Sequence, residues 1–186
     1  MTTEEIIAGC IKKDLHCQRV LYETYAPKML GLCRRYVNDI ESAEDILQDG
    51  FIKIFTKIDT YEGIGCFSGW IKKVFITTAL EHIRKNNIMK FSISIDEISN
   101  IKSDSDNLIL SALTMNDLMT CISSLPIGYR TVFNLYAIEG YSHQEISDML
   151  NISISTSQTQ LLRARKVLQK TVTSLIGQDH ASRRVK

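Results

Sequence analysis

Apolar positions recur every three or four residues along most of this chain. Leu21, Tyr25, Met29, Leu32, Cys33 and Tyr36 form one such series and predict a helix. Ala43, Leu47, Phe51, Ile54, Phe55 and Ile58 form a second, with Asp39 or Ser42 as its cap and Ser42 with Asp45 matching a capping box. The stretch "TYEGIGCFSG" then places three glycines in ten residues, which predicts a loop, and a further helix follows from about Trp70 to Asn86. The section from about 4 to 90 therefore reads as helices joined by short breaks.

The pattern changes at residues 91–112. "FSISIDEISNIKSDSDNLIL" is rich in Ser, Asp and Asn and has weak periodicity. It reads as a mobile linker, with "FSISI" as a short strand at most. Helical spacing returns from about Leu113 to Leu175. The tail "GQDHASRRVK" reads as disordered. The expected architecture is all-α, with two small helical domains at 1–92 and 113–176, a linker at 93–112 and a tail at 177–186.

The second section contains a sharper signal. Pro126 opens a helix whose inward residues are Tyr129, Val132, Phe133 and Tyr136, and Gly140 ends it. Ser142 caps the next helix with Glu145 as its capping-box partner, and Ile146, Met149 and Leu150 form the apolar side. Asn151 suits a left-handed turn, and Ser153 caps a last helix with the seam Ser157, Leu161, Ala164, Leu168, Val172 and Leu175. Two helices across so short a break predict a helix-turn-helix. In that motif the second helix sets its N-terminal residues at base edges in the major groove. Here they are Ser155, Thr156, Gln158 and Thr159, and Gln can pair with adenine. Arg163, Arg165 and Lys166 follow within reach of phosphates, which hold register while bases are read.

Charge is distributed to match. The net charge is only +1, but it is gathered in blocks. Residues 39–62 hold two Lys against seven Asp or Glu, and residues 72–90 hold five Lys or Arg against one Glu. Residues 96–150 hold eight acids against two bases, and residues 151–186 hold seven bases against one acid. Alternating blocks point to more than one charged partner.

Other classes find little support. No apolar run approaches the ~20 residues of a membrane span, and the acidic start lacks the order of a signal peptide. The cytoplasm is the expected location. Five cysteines without a CxxC pair argue against a disulfide framework. His16 beside Cys17 has no second close pair to complete a metal site. No phosphate-binding Gly loop, HExxH or GxSxG occurs, and the four histidines are scattered. His143, beside its cap, reads as exposed. No cofactor, metal or catalytic residue is expected.

Three segments in order carry a family resemblance: "RYVNDIESAEDILQDGFIKIF", "CFSGWIKKVFITTALEHIRK" and "LPIGYRTVFNLYAIEGYSHQEISDMLNISISTSQTQLLRARKVLQ". Over about residues 10–172 the chain resembles a bacterial RNA polymerase sigma factor of the extracytoplasmic-function (ECF) type. The resemblance implies that the first domain binds the clamp of core RNA polymerase and melts the promoter's minus-ten element. It implies that the second binds the minus-thirty-five element and the polymerase flap. Glu44, Asp45, Gln48 and Asp49 would face the clamp. Cys66, Phe67, Ser68, Trp70, Lys73, Thr77, Arg84 and Lys85 would meet the minus-ten strand, where single-stranded DNA needs stacking surfaces and cations and a flipped base needs a pocket. Trp70, repeating with Val74 and Thr77, reads first as core. Ser155, Thr156, Gln158, Thr159, Arg163 and Lys166 would meet the minus-thirty-five duplex. An anti-sigma factor, often membrane-bound in this family, is the further implied partner, without membrane insertion of this chain.

The chain departs from the family in two places. Thr77 stands where many members carry Asn. Ile154, Ser155 and Gln158 stand where an acidic residue, a Gly and a Lys are common. Both departures bear on which promoter is read. Against the resemblance stand a stand-alone helix-turn-helix regulator, which leaves the first domain without a task, and an anti-sigma or adaptor protein, which leaves the last helix unexplained.

Overall fold

The computed structural model describes residues 1–86 and 114–183, and among them there are helices and no strands. They fall into two compact units, divided near Ile88. The linker reading, the "FSISI" strand and the last three residues of the tail lie outside the described residues.

Among the described residues the first unit contains four α-helices, α1 (Thr3–Ile11), α2 (Leu15–Tyr36), α3 (Ile40–Lys57) and α4 (Phe67–Lys85), with a 3-10 turn at Ile58–Thr60. Three of the four starts have a side-chain cap, whereas α4 begins after Cys66 without one and three residues earlier than the expected Trp70. Thr2 and Glu5 form a capping box on α1, Asp14 accepts from the Cys17 amide on α2, and Asp39 accepts from the Ser42 amide on α3. Of the two caps open for α3, Asp39 is the one used. A break separates α1 from α2 at Lys13, which takes φ 60°. The helices bury Leu21, Tyr36, Ile46, Ile54, Ile71, Phe75, Ile76 and Ile83 between them. Phe75 is central. Its ring meets Phe51 edge-on at 5.3 Å, and it lies so close to Gly50 that a methyl group there would overlap it.

The second unit contains α5 (Met115–Ser123), α6 (Ile127–Phe133), α7 (His143–Leu150) and α8 (Ile154–Arg183), with a π-helical turn at Asn134–Ile138 after α6. Pro126 is the N-cap of α6, a position that needs no backbone donor. The inward face of α6 differs from the one its spacing predicts. Val132 is buried, but Tyr129, Phe133 and Tyr136 are half-buried, while Arg130, Thr131, Asn134 and Leu135 are enclosed. Two features turn the face. Arg130 Nη1 donates to the Ser123 carbonyl at the end of α5, 3.0 Å away, and the π turn inserts extra backbone before Gly140.

The helix-turn-helix forms as its punctuation predicts. Ser142 and Glu145 make the capping box on α7, and Asn151 takes the left-handed conformation (φ 55°, ψ 49°). Ser153 accepts from the Thr156 amide at the start of α8. Ser157, Leu161 and Ala164 are buried along the seam, and Leu168, Val172 and Leu175 continue it half-buried. The backbone of α8 runs to Arg183, past residue 176 where the predicted domain ended and through most of the predicted tail. The apolar seam stops at Leu175, but no proline follows to stop the helix.

Candidate nucleic-acid interface

Three surfaces carry the predicted residues, two on the first unit and one on the second. On α3, Glu44, Asp45, Gln48 and Asp49 are all exposed, opposite the face that buries Ala43, Ile46, Leu47 and Gly50. Their spacing puts Asp45, Gln48, Asp49 and Ile52 along one side of the helix. Ile52 is 62% exposed, an apolar centre beside two carboxylates. A shallow hollow of about 200 Å³ opens next to it between α3 and α4. One wall is the Lys53–Glu81 ion pair, 2.6 Å long.

The second surface is the start of α4 and the loop before it. Tyr61, Phe67 and Trp70 form an aromatic cluster with ring separations of 5.1, 5.7 and 5.8 Å, and Tyr25 closes it from α2, 6.1 Å from Phe67. Phe67 is 5% exposed, so its ring forms the floor of this cluster and offers no open stacking face. Trp70 is half-buried, stacked nearly parallel on Phe67 at 11°. It is part core and part surface. Tyr61, half-buried, donates its hydroxyl to the Gly65 carbonyl at 2.9 Å and pins the loop. Gly65 takes φ 77°, which a side chain would strain. Tyr61 belongs to this surface although spacing did not single it out, and Tyr25, which spacing placed in the apolar series of α2, joins it. The signal available was an aromatic residue directly before the glycine-rich loop.

Cys66 and Ser68 are exposed on the same surface. The Ser68 hydroxyl and the Gly69 amide hold the Cys66 thiol below its ordinary pKa. Burial pushes Cys33 up to about 12 and Cys10 up to about 11. A thiol-alkylating reagent at neutral pH is therefore expected to label Cys66 first, roughly ten-fold or more faster than Cys33. Peptide mapping after short exposure checks this, and equal labelling of the two would contradict it. Lys73, Arg84 and Lys85 are exposed along α4. Thr77 is half-buried, and its hydroxyl donates back to the carbonyls of Lys73 and Val74 at 3.1 and 2.9 Å. Its remaining capacity is as an acceptor.

The third surface is α8. Ser155, Gln158 and Thr159 are exposed and Thr156 is half-buried. Arg165 is exposed and sits 5.9 Å over the Tyr136 ring. Lys166 is half-buried. Arg163 is not the free-standing cation its position suggested. It is half-buried, and its guanidinium donates to the Tyr129 hydroxyl of α6 at 3.3 Å. His143 also differs from expectation. It is half-buried, stacked on Tyr136 at 4.4 Å, with Nδ1 2.9 Å from the buried Ser157 hydroxyl. This contact ties the start of α7 to the seam of α8 and satisfies the one polar group on that seam.

Among the described residues, no three His, Cys, Asp or Glu gather as a metal-binding set, and no helix is long and apolar enough to cross a membrane.

Comparison with known proteins falls on these same units. Residues 21–88 match the family model for sigma-70 region 2, and residues 115–168 match that for sigma-70, region 4. The chain is 28% identical over 165 residues to the ECF RNA polymerase sigma factor SigW of Bacillus subtilis, covering 83% of this chain and 88% of that one. It is 25% identical over 186 residues to the ECF RNA polymerase sigma-E factor of Escherichia coli, covering 95% and 97%. Among solved structures it is similar in fold to the sigma factor RpoE in complex with the anti-sigma factor NepR from Bartonella quintana. There the TM-score is 0.53 at 18% identity, covering 83% of this chain and 96% of that one.

Proposed function

This chain belongs to the sigma-70 family, in its extracytoplasmic-function (ECF) type, and we propose how its two units share the work of a sigma factor. It directs promoter-specific transcription initiation. The first unit binds core RNA polymerase through the α3 face of Glu44, Asp45, Gln48 and Asp49, with Ile52 as its apolar centre. The loop and start of α4 then hold the opened minus-ten strand. Cys66, Ser68 and Trp70 meet the bases, Phe67 supports Trp70 from below, and Lys73, Arg84 and Lys85 follow the phosphates. Thr77 accepts from a base N–H donor at the pocket edge. The second unit sets α8 in the major groove of the minus-thirty-five duplex, with Ser155, Thr156, Gln158 and Thr159 at base edges. Arg165 and Lys166 reach the backbone, while Arg163 braces α8 on α6. The chain binds and positions; it carries out no chemistry of its own and works in the cytoplasm beside the polymerase. A protein inhibitor of the anti-sigma class, such as holds the similar RpoE, is the proposed off-state partner.

The observation that carries this reading is the pairing of two folded units in one chain. One bears an acidic helix face beside an aromatic–basic surface, and the other bears a helix-turn-helix with an exposed polar reading face. A stand-alone regulator needs only the latter. The deciding experiment measures promoter binding by the chain with and without core polymerase. The chain alone is expected to bind duplex DNA weakly, because its net charge is +1 and affinity for DNA rests on phosphate neutralisation. Sequence-specific binding is expected only with core polymerase. Tight specific binding by the free chain would favour the regulator reading instead.

Substitutions within α8 separate its roles. Gln158→Ala is expected to cost ~1–3 kcal/mol at the preferred element and relax discrimination at one base pair. Arg165→Ala is expected to weaken all sequences alike and lower the salt dependence by about one phosphate. Arg163→Ala is expected to lower domain stability by about 1 kcal/mol, through the lost bond to Tyr129, without changing base preference. Titrations on single-base variants at several salt concentrations, with thermal melts, check all three. A changed base preference in Arg163→Ala would mean that α8 docks in a different rotation.

A further inference from the structure

From Ile154 to Leu162 the reading helix carries no Lys, Arg, Asp or Glu. The first cation after this stretch, Arg163, is half-buried and turned to the Tyr129 hydroxyl. The exposed positions of this stretch, away from the Ser157–Leu161–Ala164 seam, are Ile154, Ser155, Gln158, Thr159 and Leu162. Leu162 is 56% exposed. A single exposed leucine is ordinary on a protein surface. This one stands at the C-terminal end of a polar reading stripe, one turn beyond Gln158 and three residues from Thr159.

The chemistry of base edges gives this combination a meaning. In the major groove G is read most often by Arg or Lys on O6 and N7, and C by Glu or Asp on N4. Both means are missing from the first two turns of α8. What remains is an amide suited to adenine, hydroxyls that fit any base, and two apolar side chains, Ile154 at 41% and Leu162 at 56% exposure, of which Leu162 is the more open. The apolar feature of the groove floor is the C5-methyl of thymine. We infer that α8 reads A·T pairs, with Gln158 on an adenine and Leu162 packed against a thymine methyl on a neighbouring pair. Leu162 is thus a specificity-determining residue. The inference rests on the proposed docking of α8 in the minus-thirty-five duplex and names the base pairs taken there. Removing one packed methyl lowers affinity about four-fold.

The test uses the full chain assembled with bacterial core RNA polymerase. A preferred minus-thirty-five element is first selected from a randomised duplex pool. Each thymine in it is then replaced by deoxyuridine, which removes only the C5-methyl. The expected result is an element containing adjacent A·T pairs, with one thymine whose replacement lowers affinity about four-fold. In Leu162→Ala that loss vanishes, while the remaining thymines behave as before. Leu162 is exposed, so this variant keeps the fold. A selected element of G·C pairs, insensitivity to every methyl, or the same methyl effect in Leu162→Ala would each overturn the inference while leaving promoter binding standing. So would a Leu162→Ala variant that loses affinity for core polymerase with unaltered DNA preference, which would make Leu162 a flap contact. Failure to enrich any duplex element, despite assembly with core polymerase, would instead defeat the docking on which the inference rests.

Discussion

Asp45→Arg combined with Asp49→Arg is expected to lower affinity for core polymerase about a hundred-fold or more. Both side chains are exposed on α3, one turn apart, with the exposed Ile52 following Asp49 on the same side of the helix. If this face docks on a basic surface, each reversal removes an attraction and installs a like-charge contact. Losing one partner of a desolvated charge pair costs about 2–5 kcal/mol. The fold should hold, because exposed substitutions away from caps and core usually move stability by about 0.5 kcal/mol or less. The variant is titrated against core polymerase at low and moderate salt, with circular dichroism as a folding control. The defect should be largest at low salt, where surface charges are least screened. A folded double variant with unchanged affinity would remove the α3 face from the interface.

The second large effect is on stability. Phe75→Ala is expected to cost about 3–5 kcal/mol, the usual result of emptying a buried phenylalanine site. Phe75 is fully enclosed and its ring meets that of Phe51. The same contact can be attacked from α3. Gly50→Ala inserts a methyl against the Phe75 ring and is expected to destabilise by about 1–3 kcal/mol. Alanine is otherwise the better helix former by about 1 kcal/mol, so a destabilising result isolates the clash. Thermal melts give the magnitude. Hydrogen exchange gives the location: amides of α3 and α4 should lose protection while those of α7 and α8 keep theirs. A Gly50→Ala chain more stable than the original would show that the Phe75 ring yields at little cost.

Caps around the helix-turn-helix and at α3 were the most legible part of this fold, because a cap is a local event. Ser142 with Glu145, Asn151 and Ser153 act as their residue types require, and so does Asp39. The interruption at Lys13 was not legible, since lysine gives no warning of a left-handed backbone. The rotation of α6 was hidden for another reason. A π turn and an arginine bonded to a neighbouring helix do not alter the spacing of apolar residues. The polar end of α8 had read as tail because its seam runs out at Leu175, yet the helix continues.

The candidate surfaces were legible as residue types and less so as roles. Exposure of Asp45 or Gln158 follows from helical phase. The burial of Phe67 does not, because its enclosure depends on Tyr25 and Tyr61 arriving from elsewhere in the chain. Arg163 meets Tyr129, thirty-four positions away, and His143 meets Ser157, fourteen away. Such contacts exist only once α6, α7 and α8 pack, and helical spacing within one element is silent about them.

The central claim is that this chain gives core polymerase its promoters. Run-off transcription on genomic fragments, with core polymerase and mapped start sites, tests it most directly. The account predicts new transcripts only when chain and core are both present. Their start sites should share two short upstream elements, near minus ten and minus thirty-five, and Gln158→Ala should weaken dependence on the latter. If a folded chain bound core polymerase poorly and added no start site to those of core alone, while binding a symmetric duplex element as a dimer, the account would be wrong.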